Sequence, residues 1–340
     1  MNQNILIVGA TGLIGKEIEL QLRRRNSQLT IYKGSRTAPL GDKLSIRMDV
    51  DDRKSLEVIA IHNIQLIVMC AEDNYNNILK LCIEKNIHYI DITKPTKNLE
   101  EAYEIAKKGN INSKIVFSSG WMSGVVSSLV FNAVPKKNTI KGVQLFIYYS
   151  IKDKAGKSSA HFLANNVTSK FNFYRDGKPV VVKHFLDTIS HEFKFGIGNM
   201  QVYNLDVPDL FLLNKIEGIP NVEVKVTYNS KLISSFLGLL QKFHIFDLLP
   251  LSLKKILFSG NGEGDKSVFD IKIVFDGKSI IIRFLNKKGQ SDTTSYATVL
   301  YIEKMLEKGS NGLFFSHQLY EPSELFKLLK KSESITILVE

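Results

Sequence analysis

The hydrophobic pattern near the start of the chain alternates between short apolar runs and stretches with helical spacing. The first apolar run starts at Asn4 and ends at a group of glycines, and residues 16–25 then carry apolar side chains at helical intervals. Further apolar runs of strand length occupy residues 29–33, 44–48 and 65–69. Strands that alternate with helices in this way are typical of α/β proteins with a parallel sheet.

Three glycines follow the first apolar run at positions 9, 12 and 15, a Gly-x-x-Gly-x-x-Gly spacing rather than the commoner Gly-x-Gly-x-x-Gly. A helix N-terminus presents free backbone N–H groups and a partial positive charge, so a pyrophosphate can lie there if position 12 has no side chain. The placement between a strand and a helix predicts dinucleotide binding, the alternative being a tight turn without a ligand. The predicted contacts in this turn are Gly9, Thr11, Gly12, Leu13, Ile14 and Gly15.

The second predicted strand leads into Gly34, Ser35 and Arg36, where an NAD-binding fold usually has an acidic residue for the ribose hydroxyls. Arg36 can pair with a 2′-phosphate while its guanidinium plane covers the adenine, and Ser35 can donate to the same phosphate. We therefore predict NADP as the cofactor in preference to NAD. The alternative is that Arg36 is a solvated surface residue.

The ends of the next two strands supply further predicted contacts with the cofactor. Asp49 and Val50 follow the third apolar run, where an acidic side chain can face the adenine edge. Cys70 and Ala71 follow the fourth run in the same way. Cys70 is interpreted as a small buried residue rather than as a reactive thiol.

The composition narrows the class of protein. At 340 residues the chain is longer than one core usually holds, so two domains are expected. The net charge of +11 comes from scattered lysines that are not interleaved with aromatic residues, so nucleic-acid binding is not predicted. The two cysteines lack a Cys-x-x-Cys motif and a companion histidine cluster, which argues against a disulfide framework or a metal site and favours the cytoplasm.

Two features of the sequence concern membranes. The first apolar run is too short for a signal peptide, and no apolar segment is long enough to span a bilayer, so no integral membrane segment is expected. Residues 233–258 are nonetheless rich in Leu and Phe, with interspersed lysines and a break at Pro250. Buried helix packing is the first interpretation; otherwise a pocket for an apolar substrate or a dimer contact is favoured over a membrane surface.

Several motifs resemble those of the saccharopine dehydrogenase family. Residues 81–93 combine a Cys with a later His-Tyr-apolar-Asp sequence and a hydroxyl residue, a pattern similar to that family's. Residues 106–110 and 120–124 look like its Ala-Lys helix and its Gly-x-x-Pro-Gly turn, with Ser123 in place of the proline. Residues 312–324 are similar to the segment that precedes its last helix.

The resemblance covers residues 1–135 and 290–335 and is thin in between. It implies an α/β fold with a Rossmann doubly wound parallel sheet in residues 1–122 and 291–340, to which C-terminal helices return. Residues 123–290 would form an inserted α+β domain with an open sheet. The resemblance also implies an NAD(P)-dependent oxidoreductase that transfers hydride between a nicotinamide and a carbon bonded to nitrogen. We expect a small-molecule substrate, partly apolar, and a homodimer.

The strand pattern of the middle region fits an inserted domain with its own sheet. Strand-like runs occur at residues 142–150, 180–185, 222–226, 269–275 and 279–284. The dipeptide Asp276-Gly277 between the last two runs predicts a hairpin turn.

Candidate catalytic groups come from strand ends and from one loop. Asp91, followed by Thr93, ends a predicted strand and can pair with a substrate ammonium or orient the nicotinamide amide, the alternative being an N-cap for the next helix. His161 follows a loop rich in Lys and Ser and can shuttle a proton, with a solvated loop as the alternative. Trp121 is predicted to form a wall of the nicotinamide pocket, and Gly120 to admit the ring.

Two other classes of function stay open. The Gly9 turn also resembles that of atypical short-chain dehydrogenases, whose catalytic Tyr-x-x-x-Lys motif is matched by Tyr103 and Lys107. That pair comes too early in the chain and lacks the preceding serine, so it is interpreted as part of a helix surface. The other alternative is a protein that binds NADP as a sensor without turnover, because no residue is an evident catalyst.

Overall fold

A computed structural model describes residues 3–39, 41–118, 120–153, 157–259 and 262–340. The strands within these ranges are β1 Asn4–Val8, β2 Thr30–Ser35, β3 Ser45–Arg47, β4 Leu66–Met69, β5 His88–Asp91, β6 Lys114–Phe117, β7 Ile140–Tyr149, β8 Lys170–Arg175, β9 Lys178–Lys183, β10 Ile189–Phe193, β11 Gly198–Asn204, β12 Asn221–Tyr228, β13 Ser267–Phe275, β14 Lys278–Asn286, β15 Gly312–Phe315 and β16 Ile335–Val339.

The α-helices within these ranges are α1 Leu13–Arg25, α2 Asn77–Lys85, α3 Thr96–Lys108, α4 Gly124–Ala133, α5 Lys157–Asn166, α6 Asp209–Phe211, α7 Lys231–Lys242, α8 Ile245–Leu248, α9 Leu251–Phe258, α10 Gln290–Leu306 and α11 Pro322–Lys330. Short 3-10 helices cover Arg53–His62, Lys137–Thr139 and Ser316–Gln318, and a π-helix covers Leu212–Ile216. These elements form two compact units, which are described separately.

The first unit comprises the described residues up to Gly124 together with Asp292–Glu321. It contains a seven-stranded sheet in the order β3-β2-β1-β4-β5-β6-β15, and each neighbouring pair is parallel. Strands β1 to β6 therefore have the order of the Rossmann fold. The chain adds β2 and β3 on one side of β1, and then β4, β5 and β6 on its other side. This sheet confirms the predicted α/β fold with a doubly wound parallel sheet.

The central strands of this sheet are apolar along their length because helices cover both faces of such a sheet. Residues 5–7 of β1 have no exposed surface, and all residues of β4 and β6 are buried. Helix α1 packs through Ile18 and Leu22, whereas Leu20 is 43% exposed. The helical repeat explains the difference, since Ile18 and Leu22 are four residues apart and share one side of the helix.

The chain returns to the first unit at α10 and β15; the predicted return of C-terminal helices holds for α10, and the strand β15 was not predicted. β15 pairs with β6, and Lys114 of β6 donates from Nζ to the carbonyls of Met305 and Glu307 at the end of α10. A basic side chain at a helix C-terminus satisfies its free carbonyl groups. The predicted Rossmann domain extends to residue 340, but contacts place Pro322–Glu340 in the second unit, where β16 pairs with β14.

The second unit comprises the described residues of Val125–Ser291 together with Pro322–Glu340. Its sheet has the main order β10-β11-β12-β7-β13-β14-β16, with β8 pairing with β12 and β9. β12 and β7 are parallel, and the other neighbouring strands are antiparallel. The hairpin between β13 and β14 turns at Asp276 and Gly277, whose φ values of 45° and 73° fit a type I′ turn and confirm the predicted hairpin.

Candidate dinucleotide-binding site

The turn between β1 and α1 lies at the carboxyl end of β1 and contains the three glycines. Gly9 has a φ of +84°, and its N–H donates to the carbonyl of Gly34 on β2 at 2.9 Å. A Cβ at Gly9 would lie 2.9 Å from the carbonyl carbon and oxygen of Cys70. The backbone conformation and the close neighbour both restrict this position to glycine.

Gly15 and Gly12 have different surroundings. A Cβ at Gly15 would lie 2.5 Å from the carbonyl oxygen of Gly9 and 2.8 Å from the Cα of Ala10, so glycine lets α1 pack closely against the turn. Gly12 has a φ of −77°, and a Cβ there would meet the Gly9 carbonyl oxygen alone, at 3.3 Å. The φ of Gly12 does not require glycine, but a Cβ there would need the Gly9 carbonyl to move by a few tenths of an ångström. The open space beside Gly12 admits a ligand.

The N-terminus of α1 has the features of an anion-binding site. Gly12 is the N-cap residue; it has no side chain to accept from the first turn, and that turn contains no acidic residue. The N–H groups of Leu13, Ile14 and Gly15 therefore have no partner within the helix. Thr11, Gly12 and Leu13 are exposed, whereas Gly15 is buried. The exposed N–H groups and the helix dipole both favour a bound anion.

Ser35 and Arg36 lie at the carboxyl end of β2, the strand next to β1. Ser35 is half-buried and Arg36 is exposed. The nearby acidic residue Asp42 pairs with Lys33 at 3.4 Å, and Arg36 forms no ion pair with any residue that the structure describes. The Arg36 guanidinium is therefore available to an anionic ligand.

Asp49 and Val50 follow β3, and both are engaged within their loop. The Asp49 carboxylate accepts from the N–H of Asp51 at 3.1 Å, and the Asp49 N–H donates to Ser55 Oγ at 2.9 Å. The Val50 carbonyl accepts from the side-chain amide of Asn77 at 2.9 Å. These contacts hold the loop against the start of α2, and a contact of either residue with the adenine stays a prediction.

Cys70 and Ala71 follow β4, and both are half-buried. The N–H of Cys70 donates to the carbonyl of Val8 at 2.8 Å. Burial raises the pKa of the Cys70 thiol far above its usual range, and the negative charge of Asp91 raises this pKa further. A thiol held in its neutral form is a poor nucleophile, which argues against a reactive thiol, although Cys70 is only partly buried rather than buried as expected.

Asp91 ends β5, and its carboxylate is fully occupied by protein donors. Tyr89 Oη donates to Oδ2 at 2.6 Å, and the N–H and Oγ1 of Thr93 donate to Oδ1 at 2.8 and 2.7 Å. The Nζ of Lys94 lies 3.4 Å from Oδ2. The alternative of an N-cap is wrong, because α3 starts at Thr96 and Pro95 is its N-cap residue.

Lys94 joins Asp91 to a second buried acid, Asp73. The Nζ of Lys94 donates to the carbonyl of Asp73 at 3.2 Å, and the Asp73 carboxylate accepts from the N–H groups of Asn77 and Ile78 at 2.9 and 2.8 Å. Burial raises the pKa of Asp73, and the two N–H donors oppose that change. Sequence reasoning missed both residues. The acid just before a helix was a usable signal for Asp73, whereas nothing in the local sequence marks Lys94 as buried.

Gly120 and Trp121 follow β6. Gly120 has a φ of +62°, and a Cβ there would lie 2.9 Å from the side chain of Thr294 on α10. The fold itself therefore requires glycine at position 120. Trp121 is 3% exposed, so most of its indole packs within the protein. Contact of either residue with a nicotinamide stays a prediction.

The other two sequence candidates, His161 and Tyr103, lie on helices α5 and α3. His161 is on α5 of the second unit and is exposed, while residues 154–156 of its predicted loop lie outside the described residues. The Tyr103 ring on α3 stacks on the ring of Phe315 with centroids 5.5 Å apart, and Lys107 is exposed. Tyr103 thus contributes to packing between α3 and β15, in agreement with its interpretation as part of a helix surface.

In the described ranges, no group of three or more His, Cys, Asp or Glu side chains is arranged to hold a metal ion. The helices of the same ranges are each too short or too polar to span a membrane.

Comparison with known proteins identifies distant similarities. No protein-family model matches the chain, and no curated protein matches its sequence. Among solved structures, a dipicolinate-bound dihydrodipicolinate reductase from Paenisporosarcina sp. TG-14 is 12% identical over 93% of this chain and 98% of that chain, with a TM-score of 0.45. An engineered D-amino acid dehydrogenase is 15% identical over 93% and 94% of the two chains, with a TM-score of 0.42.

A myo-inositol 2-dehydrogenase from Lactobacillus plantarum is 7% identical over 99% of both chains, with a TM-score of 0.43. Because these identities and TM-scores are low, the assignment of the fold rests on the strand order of the parallel sheet. Membership of the saccharopine dehydrogenase family stays a prediction.

Proposed function

We propose that the chain is an NADP-dependent oxidoreductase that transfers hydride between the nicotinamide and a carbon bonded to nitrogen in a small amino-acid or imine substrate. The observation that carries the proposal is the exposed glycine at position 12, whose φ of −77° suits any residue and beside which a Cβ would meet the Gly9 carbonyl oxygen alone, at 3.3 Å. A side chain there would occupy the space that a pyrophosphate needs at the start of α1. The turn also lies at the switch between β1 and β4, where Rossmann folds bind dinucleotides.

The preference for NADP rests on the end of β2. Ser35 and Arg36 stand where NAD-binding folds carry an acid for the ribose hydroxyls. A guanidinium binds a phosphate through two parallel hydrogen bonds, and Arg36 is exposed. A 2′-phosphate therefore has a cationic partner on this strand.

The substrate class rests on the resemblance of residues 81–93 to the saccharopine dehydrogenase pattern. A bound nicotinamide would supply the hydride, and the protein would orient it and exclude water. We assign Asp91 a positioning role, because its two carboxylate oxygens are occupied by Tyr89, Thr93 and Lys94. His161 is the candidate proton carrier, since an exposed imidazole is the side chain that enzymes use most often for this step.

Nucleotide binding is the first test. The affinities for NADPH and NADH are measured by calorimetric titration for the wild type, Arg36→Ala and Arg24→Ala. Arg24→Ala is the matched control, because Arg24 is an exposed arginine at the end of α1. We expect NADPH to bind more tightly than NADH and Arg36→Ala to weaken NADPH binding about tenfold or more. NADH binding should weaken much less, because NADH would lose the contact of Arg36 with the adenine and has no 2′-phosphate to lose. Equal affinity for the two nucleotides contradicts the NADP assignment, and no binding of either contradicts the whole proposal.

A second candidate function is an NADP sensor without turnover. It is favoured because protein groups already donate to both carboxylate oxygens of Asp91. Measuring turnover distinguishes the enzyme from the sensor. NADPH absorbance is followed with a panel of imines and of keto acids with amines. A fall in absorbance that requires the amine supports the proposed reaction. Tight binding of NADPH with no turnover of any substrate supports the sensor instead.

A further inference from the structure

Apolar side chains face solvent along helices α7, α8 and α9 of the second unit. We call this set the apolar stripe; its members are Leu232, Phe236, Leu239, Phe243, Leu248, Leu251, Leu253, Ile256 and Leu257. Leu232 and Leu248 are each 83% exposed. The interpretation of residues 233–258 as buried helix packing is therefore wrong for these side chains, and it holds for others such as Leu237 and Phe246.

Helix α7 has two apolar sides. Leu237 and Leu240 are buried against the second unit. Leu232, Phe236 and Leu239 follow each other at intervals of four and three residues, so they share a side of the helix, and all are exposed. At about 100° per residue, the exposed and buried sides lie roughly opposite each other. The buried side of α7 packs against the core of the second unit. The exposed apolar side has no part in that core, so we infer that it contacts another surface.

Basic residues are interspersed with the apolar stripe in the sequence, and Lys231 and Lys242 on α7 are exposed. The lysines of residues 231–258 are Lys231, Lys242, Lys254 and Lys255. The acidic residue of this segment is Asp247, so four positive charges minus one negative charge give a net charge of +3. Lysine side chains can lie along an apolar surface while their ammonium groups reach its polar boundary. The segment therefore combines an apolar contact with an attraction for anions.

We propose that the apolar stripe docks on the surface of an anionic phospholipid bilayer. Helices with an apolar side bordered by lysines lie in the interface of such bilayers, with the apolar side chains among the acyl chains and the lysines at the headgroups. A symmetric contact between two copies would bring two segments of charge +3 together, and like charges oppose that contact. The contact is superficial, because no helix in the described ranges can cross a bilayer.

A cavity also lies at the N-terminal end of α7, where the buried side of the helix faces the sheet. The cavity has a volume of about 270 Å³ and is lined by Lys231, Ser234 and Ser235 of α7 and by Ser190, Asn199 and Gln201 of the sheet. The hydroxyls of Ser190 and Ser234 donate to Asn199 and to the Ser230 carbonyl, so the donors left for the phosphate of a headgroup include the Lys231 ammonium and the side-chain amides. Leu232, the first member of the apolar stripe, directly follows Lys231 in the sequence.

The test is co-sedimentation of the full chain with vesicles of phosphatidylcholine alone or mixed with phosphatidylserine. We expect the wild type to bind the mixed vesicles at least tenfold more tightly. The double variant Leu232→Ser/Phe236→Ser should lose about tenfold or more, because two apolar side chains no longer enter the bilayer. Lys231→Gln/Lys242→Gln should lose about fivefold for each lysine on mixed vesicles.

Ile61→Ser is the matched control, since Ile61 is 79% exposed but lies in the first unit. It should bind mixed vesicles as the wild type does, and all variants should keep the wild-type thermal unfolding temperature because the substituted side chains are exposed. Four results overturn the proposal. They are no binding to mixed vesicles, equal binding to neutral vesicles, equal binding by the Leu232→Ser/Phe236→Ser variant, and a dimer in sedimentation equilibrium that this variant dissociates without any vesicle binding.

Discussion

The ammonium group of Lys94 lies 3.4 Å from the carboxylate of Asp91, and the two side chains are 3% and 0% exposed. Asp91 is the last residue of β5 and Lys94 follows three residues later, so both lie at the carboxyl edge of the parallel sheet. The attraction within a buried ion pair offsets the free-energy cost of desolvating its charges only when both partners are present. Tyr89 and Thr93 donate to the same carboxylate, so this pair fixes the loop that follows β5.

Removing one partner of this pair should destabilise the protein strongly. Lys94→Met leaves the Asp91 carboxylate buried without its cation, and we expect the free energy of unfolding to fall by about 3–5 kcal/mol. Lys97→Met is the control, because Lys97 is exposed on α3. Urea unfolding measures both variants, and adding Asp91→Asn to Lys94→Met should recover part of the loss. Equal losses for Lys94→Met and Lys97→Met would show that the pair contributes nothing.

Substituting two glycines of the turn after β1 should have different effects: one on NADPH affinity and the other on stability. Gly12→Ala places a methyl group in the open space at the N-terminus of α1, so NADPH affinity should fall about tenfold or more while stability changes by less than about 1 kcal/mol. Gly15→Ala presses a Cβ against the Gly9 carbonyl, which should cost about 1–3 kcal/mol of stability. Calorimetric titration and urea unfolding measure the two quantities. A Gly12→Ala variant that binds NADPH normally would refute the proposed role of this position.

His184 should make the stability of the protein depend on pH. Its ring is 1% exposed, and Nδ1 has no hydrogen-bond partner among the described residues. Burial lowers the pKa of His184 from 6.5 to about 3. As the pH falls below 6.5, the unfolded chain therefore binds a proton that the folded chain does not, and stability decreases until the pH reaches about 3.

Between pH 8 and pH 5, this histidine should account for a loss of about 2 kcal/mol in the free energy of unfolding. His184→Leu should remove that part of the pH dependence. His244→Gln should retain it, because the side chain of His244 is 66% exposed. Urea unfolding at the two pH values gives the comparison, and an unchanged slope in His184→Leu would contradict the assignment.

Tyr103 provides a test of the short-chain dehydrogenase alternative. Its ring stacks on Phe315, and the stacking does not need the hydroxyl group. Tyr103→Phe should therefore keep the wild-type turnover number with any substrate that the enzyme reduces. A loss of a hundredfold or more, the usual contribution of a general acid, would instead identify Tyr103 as catalytic.

The parallel sheet was predictable because its signals are local in the sequence. A strand covered on both faces needs a continuous apolar run, and the turn after β1 needs glycine for its φ and for the close approach of α1. Each requirement acts on consecutive residues, so it can be seen in the letters themselves. The hairpin at Asp276 and Gly277 was predictable for the same reason.

The sequence alone determined which positions are apolar, which turns need glycine and where a phosphate can approach a helix. The tertiary structure decided that Lys94 pairs with Asp91, that β16 joins the second sheet and that Leu232 and Phe236 face solvent. The sequence gives the chemistry of each residue, but its burial depends on how the elements pack: Lys94 and Asp91 are three residues apart, and their burial comes from the folded structure around them. Whether an apolar side chain is core or surface, and whether a charge is paired, therefore depends on packing between elements rather than on local pattern.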